Sequence, residues 1–233
     1  MERLKQRQLI MITVAIAVVV VVAVIALQIL ASAPSASSAN ARYEGIPNTR
    51  LADGGFLLGN PDAPITLVEF GDFACPHCQE YSAETKRFID EYVKTGEAKF
   101  EYRMFISGAD PVYGPYTAQL AECASEQREG AFWPAHDLLF DMGRSQGRFN
   151  DRTARTLADR LELNYTELLN CAENAGQVDI DVRYGQSLNV QSTPTMMLRY
   201  GDSEPQVISD GFQTYDRGGV PYRVLQAAVQ SAQ

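Results

Sequence analysis

The chain has 233 residues, of which 45% are hydrophobic and 21% charged, with four cysteines and two histidines. It is too long for a disulfide-stapled miniprotein and too apolar for a disordered tail, and it suits one sizeable domain, alone or with an insertion. A net charge of −9 without basic runs argues against nucleic-acid binding, and His77 and His136 are too few for a His-rich metal site.

Charge is unevenly spread. Residues 1–41 hold Arg3, Lys5, Arg7 and the single acid Glu2, which leaves 17 basic and 28 acidic residues in the other 192, a net of −11. From Leu9 to Leu30 there is no formal charge. A helix of that length spans roughly 33 Å at about 1.5 Å per residue, enough for a hydrocarbon core of about 30 Å. The basic residues precede it, so the positive-inside bias predicts a cytoplasmic N-terminus, a single membrane pass and a folded part outside the cytoplasm. The run is longer than a signal-peptide core, which favours a retained anchor. Ala39-Asn40-Ala41 could alternatively be a cleavage site. In both cases the rest of the chain works where disulfides persist. Residues 31–41 are small and polar and read as a tether, and residues 42–62 as an irregular lead-in.

Pro64 to Phe70 is a short apolar, β-leaning run and predicts a buried strand. After a turn, Cys75-Pro76-His77-Cys78 opens a helix whose apolar stripe is Tyr81, Phe88, Ile89, Tyr92 and Val93, with Gly96 suited to its end. Ala98 to Ile106 alternates as a second strand. The β-α-β order implies a parallel pair. About 75 residues of helical character follow, with segments near 115–128, 131–142, 154–161, 165–173 and 175–188. Met196 to Tyr200 and Gln206 to Ser209 then read as a hairpin around Gly201-Asp202, and a last helix is expected near 217–231.

Cysteines three apart at a helix start share one face. Pro76 suits the first helical position, where its missing N–H would have been unpaired. Cys75 then falls at the N-cap, among unpaired backbone N–H groups and at the positive end of the helix dipole, which favours thiolate over thiol. Cys78, one turn in, suits a resolving partner. A CxxC can also be half of a zinc site, which needs two further ligands at close spacing, or a structural disulfide, which in so tight a loop adds little stability. No second CxxC is present, and redox chemistry is the leading reading.

Phe70, Cys75-Pro76-His77-Cys78 and Thr193-Pro194 together resemble the DsbA family of thiol–disulfide oxidoreductases, in its single-pass membrane-anchored bacterial form, over about residues 50–233. The resemblance implies an α/β thioredoxin-like fold with an inserted helical domain, preceded by an N-terminal transmembrane helix. Its parts would be a cytoplasmic N-terminus (1–8), an anchor (9–30), a linker and lead-in (31–62), a first thioredoxin-like part (63–112), the helical insertion (113–189) and a second thioredoxin-like part (190–233). It also implies that Cys75 is the exposed nucleophile, that Cys78 resolves mixed disulfides and that His77 stabilises the Cys75 thiolate. Thr193-Pro194 would be the cis-proline loop that aligns an extended substrate strand, with Pro76 beside it. Glu69 would be a buried acid assisting proton movement. Phe132 and Trp133 read as core and His136 as structural.

Some members of the family carry a second disulfide in the insertion, which would pair Cys123 with Cys171. Closing a loop of about 49 residues would be worth roughly 4 kcal/mol. The implied activity is the introduction of disulfides into reduced, unfolded secreted proteins, with a quinone-linked membrane protein as reoxidant. No organic cofactor or metal is implied. Reduction or isomerisation on the same fold, and a non-enzymatic extracytoplasmic binding module, are the alternatives.

Overall fold

The computed structural model describes residues 11–12, 15–22 and 41–232. The chain divides into two compact units, residues 1–38 and 39–233. In the first, residues 11–12 and 15–22 are helical. Most of the expected span from Leu9 to Leu30 lies outside the described residues. Among the described residues no helix is long and apolar enough to cross a membrane.

The second unit is built on a sheet of seven strands: β1 (Asn48–Arg50), β2 (Phe56–Leu58), β3 (Ile65–Gly71), β4 (Lys99–Met104), β5 (Thr195–Tyr200), β6 (Gln206–Ser209) and β7 (Thr214–Tyr215), in the order β1-β2-β4-β3-β5-β6-β7. The central pair β3–β4 is parallel, with Glu69 beside Tyr102 and Val68 beside Glu101. All seven residues of β3 are buried, as expected of a strand covered on both faces. Strand β5 runs antiparallel to β3, and β6 to β5, which is the hairpin expected around Gly201. Helix α1 (Pro76–Phe88) links β3 to β4, continues through a π-helical turn at Ile89–Val93 and stops near Gly96, whose φ of 82° suits glycine.

Five helices fill the interval between β4 and β5: α2 (Tyr113–Gln127), α3 (Phe132–Gln146), α4 (Thr153–Leu161), α5 (Tyr165–Ala172) and α6 (Gln177–Ser187). A disulfide joins Cys123 on α2 to Cys171 on α5. Helix α7 (Tyr222–Ala232) closes the unit.

Two local expectations need correction. Residues 42–62 are not wholly irregular, since β1 and β2 pair with each other and β2 extends the sheet beyond β4. Each is three residues long, too short for alternation to register, yet Phe56 and Leu58 are buried and Phe56 stacks on Phe132 with ring centroids 3.4 Å apart. The last helix begins at Tyr222 rather than near 217, because β7 occupies Thr214–Tyr215 and Pro221 immediately precedes the helix.

Alternation divides the central strands between two faces. One carries Leu67, Glu69, Phe100 and Tyr102 into the main core with Phe73, Phe88, Trp133, His136 and Phe140. On the other, Val68, Phe70 and Met197 pack with Phe105 and Val190 against Val182, Tyr184 and Leu188.

Candidate active site

Cys75 is the N-cap of α1, with extended backbone (φ −77°, ψ 120°), and Pro76 follows as the first helical residue. No side chain caps this end, so the free N–H groups of the first turn face the cysteine. Pro76 and His77 are exposed, whereas Cys75 and Cys78 point inward and carry free thiols. Cys75, expected to be an exposed nucleophile, is only 4% exposed. The cover is the loop before β5. The Thr193–Pro194 bond is cis, both residues are buried, and the Thr193 carbonyl lies 3.4 Å from Cys75 Sγ, where it accepts from the thiol when Cys75 is protonated.

The Cys75 thiol is lowered to about 5. Donation from the Cys78 thiol is the largest cause. Burial opposes it, and the Thr193 side chain and the N–H groups of Cys78 and His77 add to the lowering. Cys78 is pushed strongly upward, first by burial, then by its bond to Cys75 and by the negative charge of Glu69. The Asp72 N–H donates to Cys78 Sγ at 3.5 Å. Two adjacent sulfurs are thus driven apart, one toward thiolate at neutral pH and the other toward thiol.

His77 does not touch the Cys75 sulfur through its ring. Its imidazole is 81% exposed and lies 3.9 Å from Glu80, and its contribution to Cys75 comes from the backbone N–H. Position 77 lies between the two inward-facing cysteines on the first turn and therefore projects to solvent.

Glu69 is wholly buried near the end of β3. Its Oε2 accepts from the Thr85 hydroxyl at 2.8 Å, while its Oε1 has no partner among the described residues. Burial raises the carboxyl to about 7, against the Thr85 bond that lowers it. Asp72, in the turn, is also raised by burial, although its carboxylate accepts from the Ala74 N–H (2.9 Å), the Ser107 N–H (3.0 Å) and the Ser107 hydroxyl (2.8 Å). Gln79 Nε2 donates to the Phe73 carbonyl at 2.8 Å and fixes the same turn. His136 sits in the aromatic core, its Nδ1 3.2 Å from Asp137 and its ring edge-on to Tyr102 with centroids 4.7 Å apart. Among the described residues no group of His, Cys, Asp and Glu could hold a metal.

Sequence reasoning missed Asp72, Thr85 and Tyr102. Asp72 lies three residues before Cys75 in a turn, and its acidity was the available signal. Thr85 and Tyr102 gave none, since each fits a helix or strand pattern.

A thioredoxin-like sheet with a helical block between its halves carries a Cys-Pro-His-Cys pair at the start of a helix, the arrangement that the resemblance to the DsbA family implies. The chain belongs to the thioredoxin family, whose family model, described as Thioredoxin, matches residues 52–207, two thirds of the sequence. It is 28% identical over 154 residues to disulfide bond formation protein D of Bacillus subtilis, covering 61% of this chain and 66% of that protein. It is also 30% identical over 146 residues to the Na(+)/H(+) antiporter NhaA 3 of Salinispora tropica, of which it spans only 21%. Among solved structures, oxidised BdbD from Bacillus subtilis superposes with a TM-score of 0.58 at 22% identity, over 76% of this chain and 91% of that one. Wolbachia pipientis alpha-DsbA1 superposes with a TM-score of 0.61 at 17% identity, over 82% and 94%. These likenesses establish the fold.

Proposed function

We propose that the domain oxidises thiol pairs in reduced, unfolded proteins outside the cytoplasm, passing its Cys75–Cys78 disulfide to them. An extended substrate segment lies along the Thr193–Pro194 loop, and its thiolate attacks Cys75 Sγ. A substrate–Cys75 disulfide forms, the Cys75–Cys78 bond breaks, and the electron pair goes to Cys78. Glu69, with a carboxyl near neutrality, gives that sulfur its proton. The substrate's second thiolate then displaces Cys75, which leaves as a stable thiolate. The products are an oxidised substrate and a reduced enzyme, which a quinone-linked membrane protein recharges. The apolar run from Leu9 to Leu30 tethers the domain to the outer side of the cell membrane.

The observation that carries this reading is the lowered Cys75 thiol beside a raised Cys78. A stabilised thiolate favours the reduced pair and so makes the disulfide a stronger oxidant. The test is the reduction potential of the pair, together with trapping by a Cys78→Ala variant. Oxidase action requires a potential well above that of thioredoxin, about −270 mV, and mixed disulfides on Cys75 in the variant. A potential at that level would assign a reductase. A Cys75 that titrates like a free thiol and traps nothing would leave a binding module.

A further inference from the structure

The side chain of Tyr102 is wholly buried, and its hydroxyl has no hydrogen-bond partner among the described residues. Tyr102 is the register partner of Glu69 across the parallel β3–β4 pair, so both side chains leave the same face of the sheet. Among the described residues Glu69 in turn has one oxygen without a partner. Two orphaned polar atoms on adjacent strands therefore share one buried region beside the cysteines.

Packing alone does not call for the hydroxyl. The Tyr102 ring stacks on Phe73 at 5.4 Å and meets His136 and Phe140 edge-on, contacts that phenylalanine would make equally well. The chain also makes room for the oxygen, because a Cβ at Gly71 would come within 2.7 Å of it.

We propose that Tyr102 is a positioning residue for the Glu69 proton, its hydroxyl supplying the second donor that the carboxylate needs once its proton has gone to Cys78. The inference rests on the oxidoreductase reading above. The two oxygens are not bonded in the structure. Rotation of the carboxyl group, whose terminal torsion is soft, or one bridging water completes the contact. In the step concerned, the substrate–Cys75 bond forms, the Cys75–Cys78 bond breaks, and one proton moves from Glu69 to Cys78 Sγ. Tyr102 stays a neutral phenol throughout, since burial and the neighbouring negative groups hold its own proton tightly.

The negative charge of Glu69 acts on Cys78 and Tyr81 of α1 and on Tyr102 of β4, and Tyr102 also feels Asp72 and Cys75 in the turn before α1, with neutral His136 of α3 beside its ring. The neighbour on β5 is Met196. The arginines of the central strands, Arg103 and Arg199, bond Glu101 on the opposite face. A carboxylate at position 69 therefore depends on neutral donors, Thr85 and Tyr102.

The experiment compares the full chain with its Tyr102→Phe and Glu69→Gln variants. The readout is the pH profile of the reaction of the Cys75–Cys78 disulfide with glutathione. Removing a donor from a carboxylate raises its pKa, so in Tyr102→Phe the Glu69 limb should move up from its wild-type position by about one pH unit, a roughly tenfold change in the proton equilibrium. The Cys75 thiolate titration should stay in place, and Tyr102→Phe should have no effect on the profile in a Glu69→Gln background. A limb at the same pH in the folded variant, or a uniform loss of rate without a shift, overturns the proposal. If Tyr102→Phe does not fold, the wild-type protein with 13C-labelled tyrosine decides: the Tyr102 resonance must follow the Glu69 midpoint, and its failure to do so overturns the proposal. Failure of the underlying reading is distinguishable, because it would appear in wild type as an ordinary Cys75 titration or as a profile that Glu69→Gln leaves unchanged.

Discussion

Glu69 on β3 and Glu101 on β4 are both wholly buried, and one register position separates them, which places them on opposite faces of the same sheet. Glu101 is saturated. It accepts from Arg103 Nε at 2.6 Å and from the Arg199 guanidinium. Arg103 in turn reaches Asp181 (3.1 Å) and Asp53 (2.9 Å), and Asp181 also accepts from the Met104 N–H and from Gln177. Burial works against the Arg103 charge, and Glu101 and Asp181 more than restore it. Among the described residues Glu69 has one neutral donor and an unmet oxygen. A fully paired buried charge is fixed, whereas a poorly paired one titrates near neutrality. The Glu101 face locks helix α6 to the sheet, and the Glu69 face holds a carboxyl raised toward neutrality near the Cys78 sulfur.

The sharpest way to break this contrast is Arg103→Met, which leaves Glu101 and Asp181 buried with their shared partner gone. Removing one side of such a network costs about 3–5 kcal/mol, seen as a lowered denaturant midpoint. In variant molecules that remain folded, the Cys75 thiolate titration should be unchanged. An unchanged midpoint would mean that this face is as loosely paired as the other. A smaller loss of the same kind is expected from Cys123→Ser with Cys171→Ser, because the bond between α2 and α5 constrains the unfolded chain. Disulfides are typically worth about 2–4 kcal/mol, and thiol-exchange rates should be kept below the new melting temperature.

Glu69→Gln should act in the opposite sense, gaining stability and losing rate. The folded-state value of about 7 lies above the ordinary 4.5, so between those values the folded protein holds a proton that the unfolded chain has released. Stability from this group is therefore complete below pH 4.5 and is lost as pH rises through 7. At about 1.4 kcal/mol per unit, the variant should be up to about 3 kcal/mol more stable above pH 7, with this part of the pH slope gone. On the proposed mechanism, in which Glu69 protonates Cys78, the variant should form mixed disulfides about 10²-fold more slowly. A variant that lost stability at pH 8 would show that Glu69 is paired after all.

Which parts of this were legible beforehand follows from the range of the interactions involved. The β3-α1-β4 unit, the hairpin of β5 and β6 and the cysteines at a helix start are local patterns, and periodicity with Pro76 and Gly96 carries them. Strands β1 and β2 are too short to alternate visibly, and they form because β4 offers an edge and Phe132 a stacking partner. The pairing of Glu69 with Tyr102 depends on the register of two strands joined by a helix, which no local signal determines. Tyr102 alone reads as one more alternating core residue. The burial of Cys75 comes from a loop 118 residues further along the chain.

The same distinction between contact and sequence position yields the smallest expected effect. His77 lies inside the motif, but its ring is 81% exposed and its nearest charged neighbour is Glu80 at 3.9 Å. A ring so placed reaches Cys75 only through solvent, where a charge pair is worth about 0–1 kcal/mol. His77→Ala should therefore raise the Cys75 titration midpoint by less than about one unit. Salt near 1 M, with a screening length of about 3 Å, should erase most of that difference. Thiolate absorbance against pH, at low and high salt, measures both. A larger shift that persists in salt would place the imidazole against the sulfur during the reaction and make the exposed rotamer only one of its positions.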